Sequence, residues 1–111
     1  MTSIQSKVSK ISQALTSIED LKVYHYWRTN IPAPYCIYYE ESTTTLQTGN
    51  HAGEYSISVY VDYFTQAEYD PTVDAIIEAL NSVEGCVWTY EGAQYEEETN
   101  MIHSSWSCEV I

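Results

Sequence analysis

The side chains able to do chemistry are few and scattered: His25, His51 and His103, Cys36, Cys86 and Cys108, and the triplet Glu96-Glu97-Glu98. No histidine is spaced with another, or with a cysteine, in a zinc-ligand pattern, so no metal site is expected. Three cysteines are an odd number without C-x-x-C spacing, which excludes a complete disulfide framework. Each lies in an apolar run and reads as a small buried hydrophobe in a reducing compartment. A Cys108–His103 nucleophilic pair fails on strand parity, since positions 103 and 108 point to opposite faces of one strand. Three consecutive glutamates lack the alternating oxygen ligands and glycine turn of a calcium loop and read instead as a solvated hairpin. There is no G-x-x-x-x-G-K, G-x-G-x-x-G or G-x-S-x-G motif. The expectation is a protein without cofactor, metal or catalytic residues.

Charge is the next constraint. The formal net charge is −12; all four cations (Lys7, Lys10, Lys22 and Arg28) lie in the first 28 residues, and the remaining 83 carry 14 acids and no Lys or Arg. Nucleic-acid binders use Lys and Arg to displace counterions, so specific nucleic-acid binding by the body of the domain is disfavoured. Hydrophobic residues make up 44% of the 111, too many for a disordered chain, and the length suits one domain over 1–111. No run of 18 apolar residues exists, the N-terminus lacks a signal-peptide core, and no membrane contact is expected. The mature chain is expected to begin as written.

The elements that must position these residues follow from periodicity. In residues 3–18, Ile4, Val8, Ile11, Leu15 and Ile18 form the narrow stripe of an amphipathic helix. Strands are expected at Val23–Trp27, Tyr35–Glu40, Glu54–Phe64, Cys86–Tyr95 and Ile102–Val110. In the third, Tyr55, Ile57, Val59, Val61 and Tyr63 alternate with polar residues, so one face is buried and the other wetter. Tyr60 and Phe64 on the wetter face imply partial cover there too. Asp70-Pro71 opens a second helix with stripe Val73, Ile76, Ile77, Leu80 and Val83, ended by Gly85. Gly92 is expected to mark a bulge, and 42–53 to be an exposed working loop. The order α-β-β-β-α-β-β predicts an α+β domain: an antiparallel (mostly) sheet of about five strands with two helices on one face.

One feature exceeds what such a fold can bury. Tyr24, Tyr26, Trp27, Tyr35, Tyr38, Tyr39 and Tyr60 crowd the first three strands on both parities, although a two-layer domain has one core face. Tyr and Trp favour interfaces. The candidate oligomer interface is therefore Tyr24, Tyr26, Trp27, Tyr38, Tyr60 and Phe64.

The segments Val23-Tyr24-His25-Tyr26-Trp27-Arg28, Asp62-Tyr63-Phe64-Thr65, Tyr69-Asp70-Pro71-Thr72-Val73-Asp74 and Gln94-Tyr95-Glu96-Glu97-Glu98-Thr99-Asn100-Met101-Ile102-His103 resemble those of tail-component proteins from phages and prophages of Gram-positive hosts. The likeness runs from Ile11 to Val110 and is similar to tail terminator, or tail-completion, proteins of the head–tail junction. It implies a structural subunit of a homo-oligomeric ring, usually a hexamer, whose partners are its own copies, the tail tube protein and head–tail connector proteins. It also implies virion assembly in the bacterial host cytoplasm and residence afterwards in the virion tail. In such a ring Glu91, Glu96, Glu97 and Glu98 are expected to make an acidic lumen that does not hold the phosphates of passing DNA. Two other readings stand beside it: an acidic DNA mimic that inhibits a host DNA-binding enzyme, and a small ligand-binding domain or enzyme.

Overall fold

Two hairpins and a short parallel strand account for the sheet. A computed structural model describes residues 3–27, 30–45 and 55–111. Helix α1 (Ile4–Thr16) is followed by strands β1 (Val23–His25), β2 (Tyr35–Thr45) and β3 (Tyr55–Thr65), helix α2 (Thr72–Asn81), and strands β4 (Cys86–Glu96) and β5 (Met101–Val110). The sheet order is β1-β2-β3-β5-β4; β1 runs parallel to β2 and every other neighbouring pair is antiparallel. This is the α+β architecture that the periodicity predicts.

Alternation decides where the core sits. Ile57, Val59, Val61 and Tyr63 of β3 join Cys36 of β2 and Trp106, Cys108 and Val110 of β5 on one face. Val8, Ile11 and Leu15 of α1 and Ile76 and Leu80 of α2 close over that face, so both helices lie on the same side. The α1 stripe departs from expectation at its first turn. Ile4 is exposed, whereas Lys7 is only 5% exposed. Its ammonium sits 3.7 Å from the centre of the Tyr55 ring and donates to the Tyr55 carbonyl. The aliphatic stem is covered while the charge keeps a ring face and an acceptor, which makes a buried lysine tolerable. Ser3 caps the helix by accepting from the Ser6 N–H at 3.1 Å.

Three boundaries are corrected: β1 stops at His25 instead of Trp27, because Tyr26 turns the chain out of the strand at φ +73°. Strand β2 continues to Thr45 instead of ending at Glu40: after a bulge between Glu40 and Ser42 the ladder resumes, with Ser42 opposite Ser58 and Thr43 opposite Ile57. A long β3 offers ladder partners that outweigh the polar composition of this stretch, and threonine suits a strand. The rest of the expected loop, 46–53, lies outside the described residues. Gly85 does not end α2, which closes at Asn81 with Ser82 as its cap; with φ +79° it turns the chain into β4. Gly92 does mark a bulge, where register shifts between Tyr90 and Gly92 and φ is +109°.

Asp70 ties β3 to α2. One carboxylate oxygen accepts from the Tyr63 hydroxyl and the Thr65 hydroxyl, both at 2.7 Å, and the other from the Thr72 N–H at 2.9 Å. The expected cap is thus present one residue ahead of Pro71. Burial pulls the Asp70 carboxyl upward, but the hydrogen bonds from Thr65, the Thr72 N–H and Tyr63 outweigh it and hold the group below the ordinary aspartate value. Burial, with Asp70 beside it, pushes the Tyr63 hydroxyl up to about 12, so Tyr63 remains a donor. Asp70→Ala should cost about 2 kcal/mol, from a lost cap and two orphaned hydroxyl donors. Because folding lowers the Asp70 pKa, its contribution is complete above the ordinary value of about 3.9 and disappears as pH falls through the folded value. Urea titrations below about pH 4 should accordingly show a steeper loss of stability for the native chain than for Asp70→Asn.

Candidate assembly interface

Since both α1 and α2 cover one side, the other side of the sheet has no helix layer over it among the described residues. Its side chains come from the opposite parity of β2, β3 and β5 and are arranged by register. Tyr35, Phe64 and His103 sit opposite one another across three strands and stack in a row, with ring centres 4.9 and 4.2 Å apart. Two rows further along β3, beyond Asp62, Tyr39 and Tyr60 stack at 5.4 Å. Tyr35 is itself buried in this face, whereas Tyr39, Tyr60 and Phe64 are half-buried, so their stacked rings keep surface to offer.

Beside the rings runs a polar column from β5. Ser105 donates to Asp62 at 3.0 Å and lies 3.2 Å from His103 Nε2; Ser107 donates to Glu91 at 2.7 Å. Glu109 accepts from Ser58 at 2.6 Å and from Ser56 at 2.8 Å. Strands β2 to β5 contain no Lys or Arg, so His103 is the one basic side chain among these groups. Sequence reasoning weighed His103 for a zinc-ligand pattern and against Cys108 and missed this cluster; the residue on its own face, Ser105, was the available signal. As predicted by parity, Cys108 is buried on the opposite face.

The Ser105–His103–Asp62 geometry differs from that of a nucleophilic triad. Both Ser105 Oγ and Asp62 Oδ1 approach the same ring nitrogen, Nε2, the latter at 3.0 Å. A triad places its carboxylate on the other nitrogen, where it orients the ring for proton abstraction. Glu96 is on that side, but its oxygen stands 3.8 Å from Nδ1, beyond hydrogen-bond reach. The Ser105 proton is directed to Asp62. The arrangement is a clamp joining β3 to β5.

The six residues of the candidate oligomer interface fall into two groups. Tyr60 and Phe64 lie on the uncovered face, with Tyr24 opposite Ile37 on the same side of β1. Tyr38 instead points to the helix side, where it packs on the core and stacks on His25 at 4.7 Å. From there the stack continues outward through Tyr26 at 4.2 Å to Trp27 at 6.1 Å. Trp27 is 73% exposed and Tyr26 45%. His25 holds the base of this ladder by a 2.7 Å contact with Glu40. Burial raises the Glu40 pKa, yet the hydrogen bonds from His25, the backbone and Tyr26 bring it below the ordinary value. Tyr26 has φ +73°, a left-handed conformation that costs a non-glycine residue about 1 kcal/mol or more. Its N–H donates to the Tyr38 carbonyl at 2.9 Å, which offsets part of that cost.

The four glutamates of the candidate lumen lie along the opposite edge of the sheet. Glu91 sits at the Gly92 bulge, Glu96 at the end of β4, and Glu97 and Glu98 in the turn to β5. Glu91, Glu97 and Glu98 are exposed, and Glu96, near His103, is half-buried. Sequence reasoning missed Tyr69, which is 99% exposed at φ +51° beside a cavity of about 430 Å³ between α2 and the β4–β5 ladder. Among the described residues no group of three or more His, Cys, Asp or Glu is placed to hold a metal ion, and no helix is long and apolar enough to cross a membrane. No protein-family model matches the chain, and no curated protein matches it.

Proposed function

We propose that this chain is a structural subunit of a phage tail, a terminator or completion protein that closes into a ring with copies of itself at the head–tail junction. The observation that carries the reading is the one-sided placement of both helices. It leaves stacked rings on one sheet face, and the Tyr26–Trp27 ladder at the β1 edge, without cover from α1 or α2. A cyclic ring needs two different patches per subunit. Charge supplies a direction for that pairing: exposed Lys22 precedes β1 at one edge of the sheet, whereas Glu91, Glu96, Glu97 and Glu98 belong to β4 and its turn at the other. Complementary potentials of this kind set orientation and speed encounter.

Native mass spectrometry over a range of concentrations, with and without the tail tube protein, followed by particle imaging, tests the proposal. Closed rings, hexamers foremost, are the expected product; a monomer at every concentration even with the tube present rejects the reading. The lumen has its own test. Changing Glu91, Glu96, Glu97 and Glu98 together to Lys should slow ring assembly by removing that complementarity and, in the rings that form, retard DNA passage in reconstituted particles; unaltered passage removes these residues from the lumen.

A second reading draws on the carboxylates of Asp62, Glu91, Glu96 and Glu109, which share the uncovered face without a Lys or Arg among them. A DNA mimic presents such groups in place of phosphates. Here rings separate the acids, and Asp62, Glu91 and Glu109 are already satisfied by serines. Inhibition of a DNA-binding enzyme by the purified protein, in the absence of any ring, would favour the mimic.

A further inference from the structure

Cys86 and Cys108 meet on the helix side of the β4–β5 ladder. Cys86 stands opposite Val110 and Cys108 opposite Trp88, so the two cysteines are diagonal neighbours on adjacent antiparallel strands. Both are free thiols, and the register sets them on the same face of the sheet as neighbours across the β4–β5 ladder. Their surroundings differ. Cys86 opens β4 and is half-buried, while Cys108 is buried in the core cluster. Lys10 of α1 reaches the same corner, its ammonium donating to the carbonyls of Glu84 at 3.5 Å and Ile111 at 3.4 Å, on either side of the Gly85 turn that leads into Cys86.

We propose that Cys86 and Cys108 are a redox-active dithiol site, with Cys86 the attacking sulfur and Cys108 the resolving one, which a small disulfide of the glutathione type oxidises to an intramolecular disulfide. The hydrogen bond from Cys108 and the Lys10 charge lower the Cys86 pKa against the opposing effect of burial, whereas the same bond and burial raise that of Cys108. The inner sulfur is shut away from solvent while the outer one is reachable and the more acidic, so the outer one is the nucleophile. In the first step the Cys86 thiolate attacks one sulfur of the small disulfide, forming a mixed disulfide and releasing one thiolate. In the second, Cys108 attacks the Cys86 sulfur; the mixed bond breaks, the Cys86–Cys108 bond forms, and the Cys108 proton passes to the second released thiolate. Two electrons leave the protein dithiol, and the reagent becomes two thiols.

The third cysteine is a control within the same chain. Cys36 is buried on β2, two strands from β5 and level with Ser104 instead of Cys108, and three strands from β4, so neither partner is within reach.

The native full-length chain, incubated with oxidised glutathione and then alkylated under denaturing conditions, should lose two hydrogen atoms by intact mass and keep one alkylatable thiol. Digestion should give a Cys86–Cys108 cross-linked peptide. Cys86→Ser should abolish the link, and Cys108→Ser should stop at a persistent glutathione adduct on Cys86. Lys10→Gln should slow the first step several-fold while leaving the final link unchanged. Three alkylatable thiols in the treated native chain, a lasting adduct on it, or a link through Cys36 would each overturn the proposal. The reading of the native chain does not depend on whether the serine variants fold.

Discussion

Trp106→Ala is expected to lower the stability of the fold by about 3–5 kcal/mol, the largest loss from any single truncation in this chain. Trp106 is the largest of the fully buried side chains. It occupies the middle of β5 with Val61 opposite on one side and Tyr90 opposite on the other, and its ring lies 5.1 Å from that of Tyr90. Truncation opens a cavity in the core cluster between β3 and β4, and backbone ladders on both sides keep the site from collapsing to fill it. Domains of this size are stable by about 5–15 kcal/mol, so the variant should sit near its unfolding limit. Trp106→Phe is expected to cost much less. It retains most of the ring volume and removes an indole N–H that finds no hydrogen-bond partner among the described residues, a burial that carries its own penalty of about 1–3 kcal/mol. Urea denaturation at constant m-value measures both. Equal losses for Ala and Phe would mean that the N–H, rather than the ring volume, is what the core depends on.

The second large effect separates assembly from stability. Trp27→Ala should leave the unfolding midpoint of the free subunit within experimental scatter, because the ring is 73% exposed and loses little cover on truncation. If copies pack through this ladder, the same change should weaken self-association by about 30-fold, since a central aromatic anchor typically contributes about 2 kcal/mol or more to an interface. Tyr26 and His25 stack behind Trp27 and leave it a restricted platform, which limits the entropy lost on docking. Sedimentation across a concentration series, compared with native chain, provides the ratio. Unchanged association would move the interface from the β1 edge to the Tyr39–Tyr60 face, where Tyr60→Ala becomes the discriminating variant.

These two residues also mark how far sequence reasoning reached. Trp106 was legible as core because Ile102, Trp106, Cys108 and Val110 share one parity in a strand whose other parity is His, Ser and Glu. Trp27 was legible as surplus because it sits in an aromatic run too dense for one face. That Tyr38 and Tyr60 belong to different faces follows from their register, with Tyr38 opposite Val61 and Tyr60 opposite Tyr39. That register depends on strands separated by the 46–54 segment, and no local pattern encodes it.

Local rules determined what local physics controls. The period-two run of β3, the Asp70-Pro71 helix start, the Gly92 bulge and the exclusion of Cys108 from His103 each depend on a few consecutive residues and on backbone geometry that holds in any fold. Tertiary structure alone decided the sheet order, the parallel β1, the continuation of β2 to Thr45, the burial of Lys7 beneath Tyr55, and the meeting of Asp62 with Ser105 and His103. Each of these joins residues far apart in the chain. Their energies arise only when strands are already paired, so they are properties of the assembled sheet and cannot be read from any one of its segments.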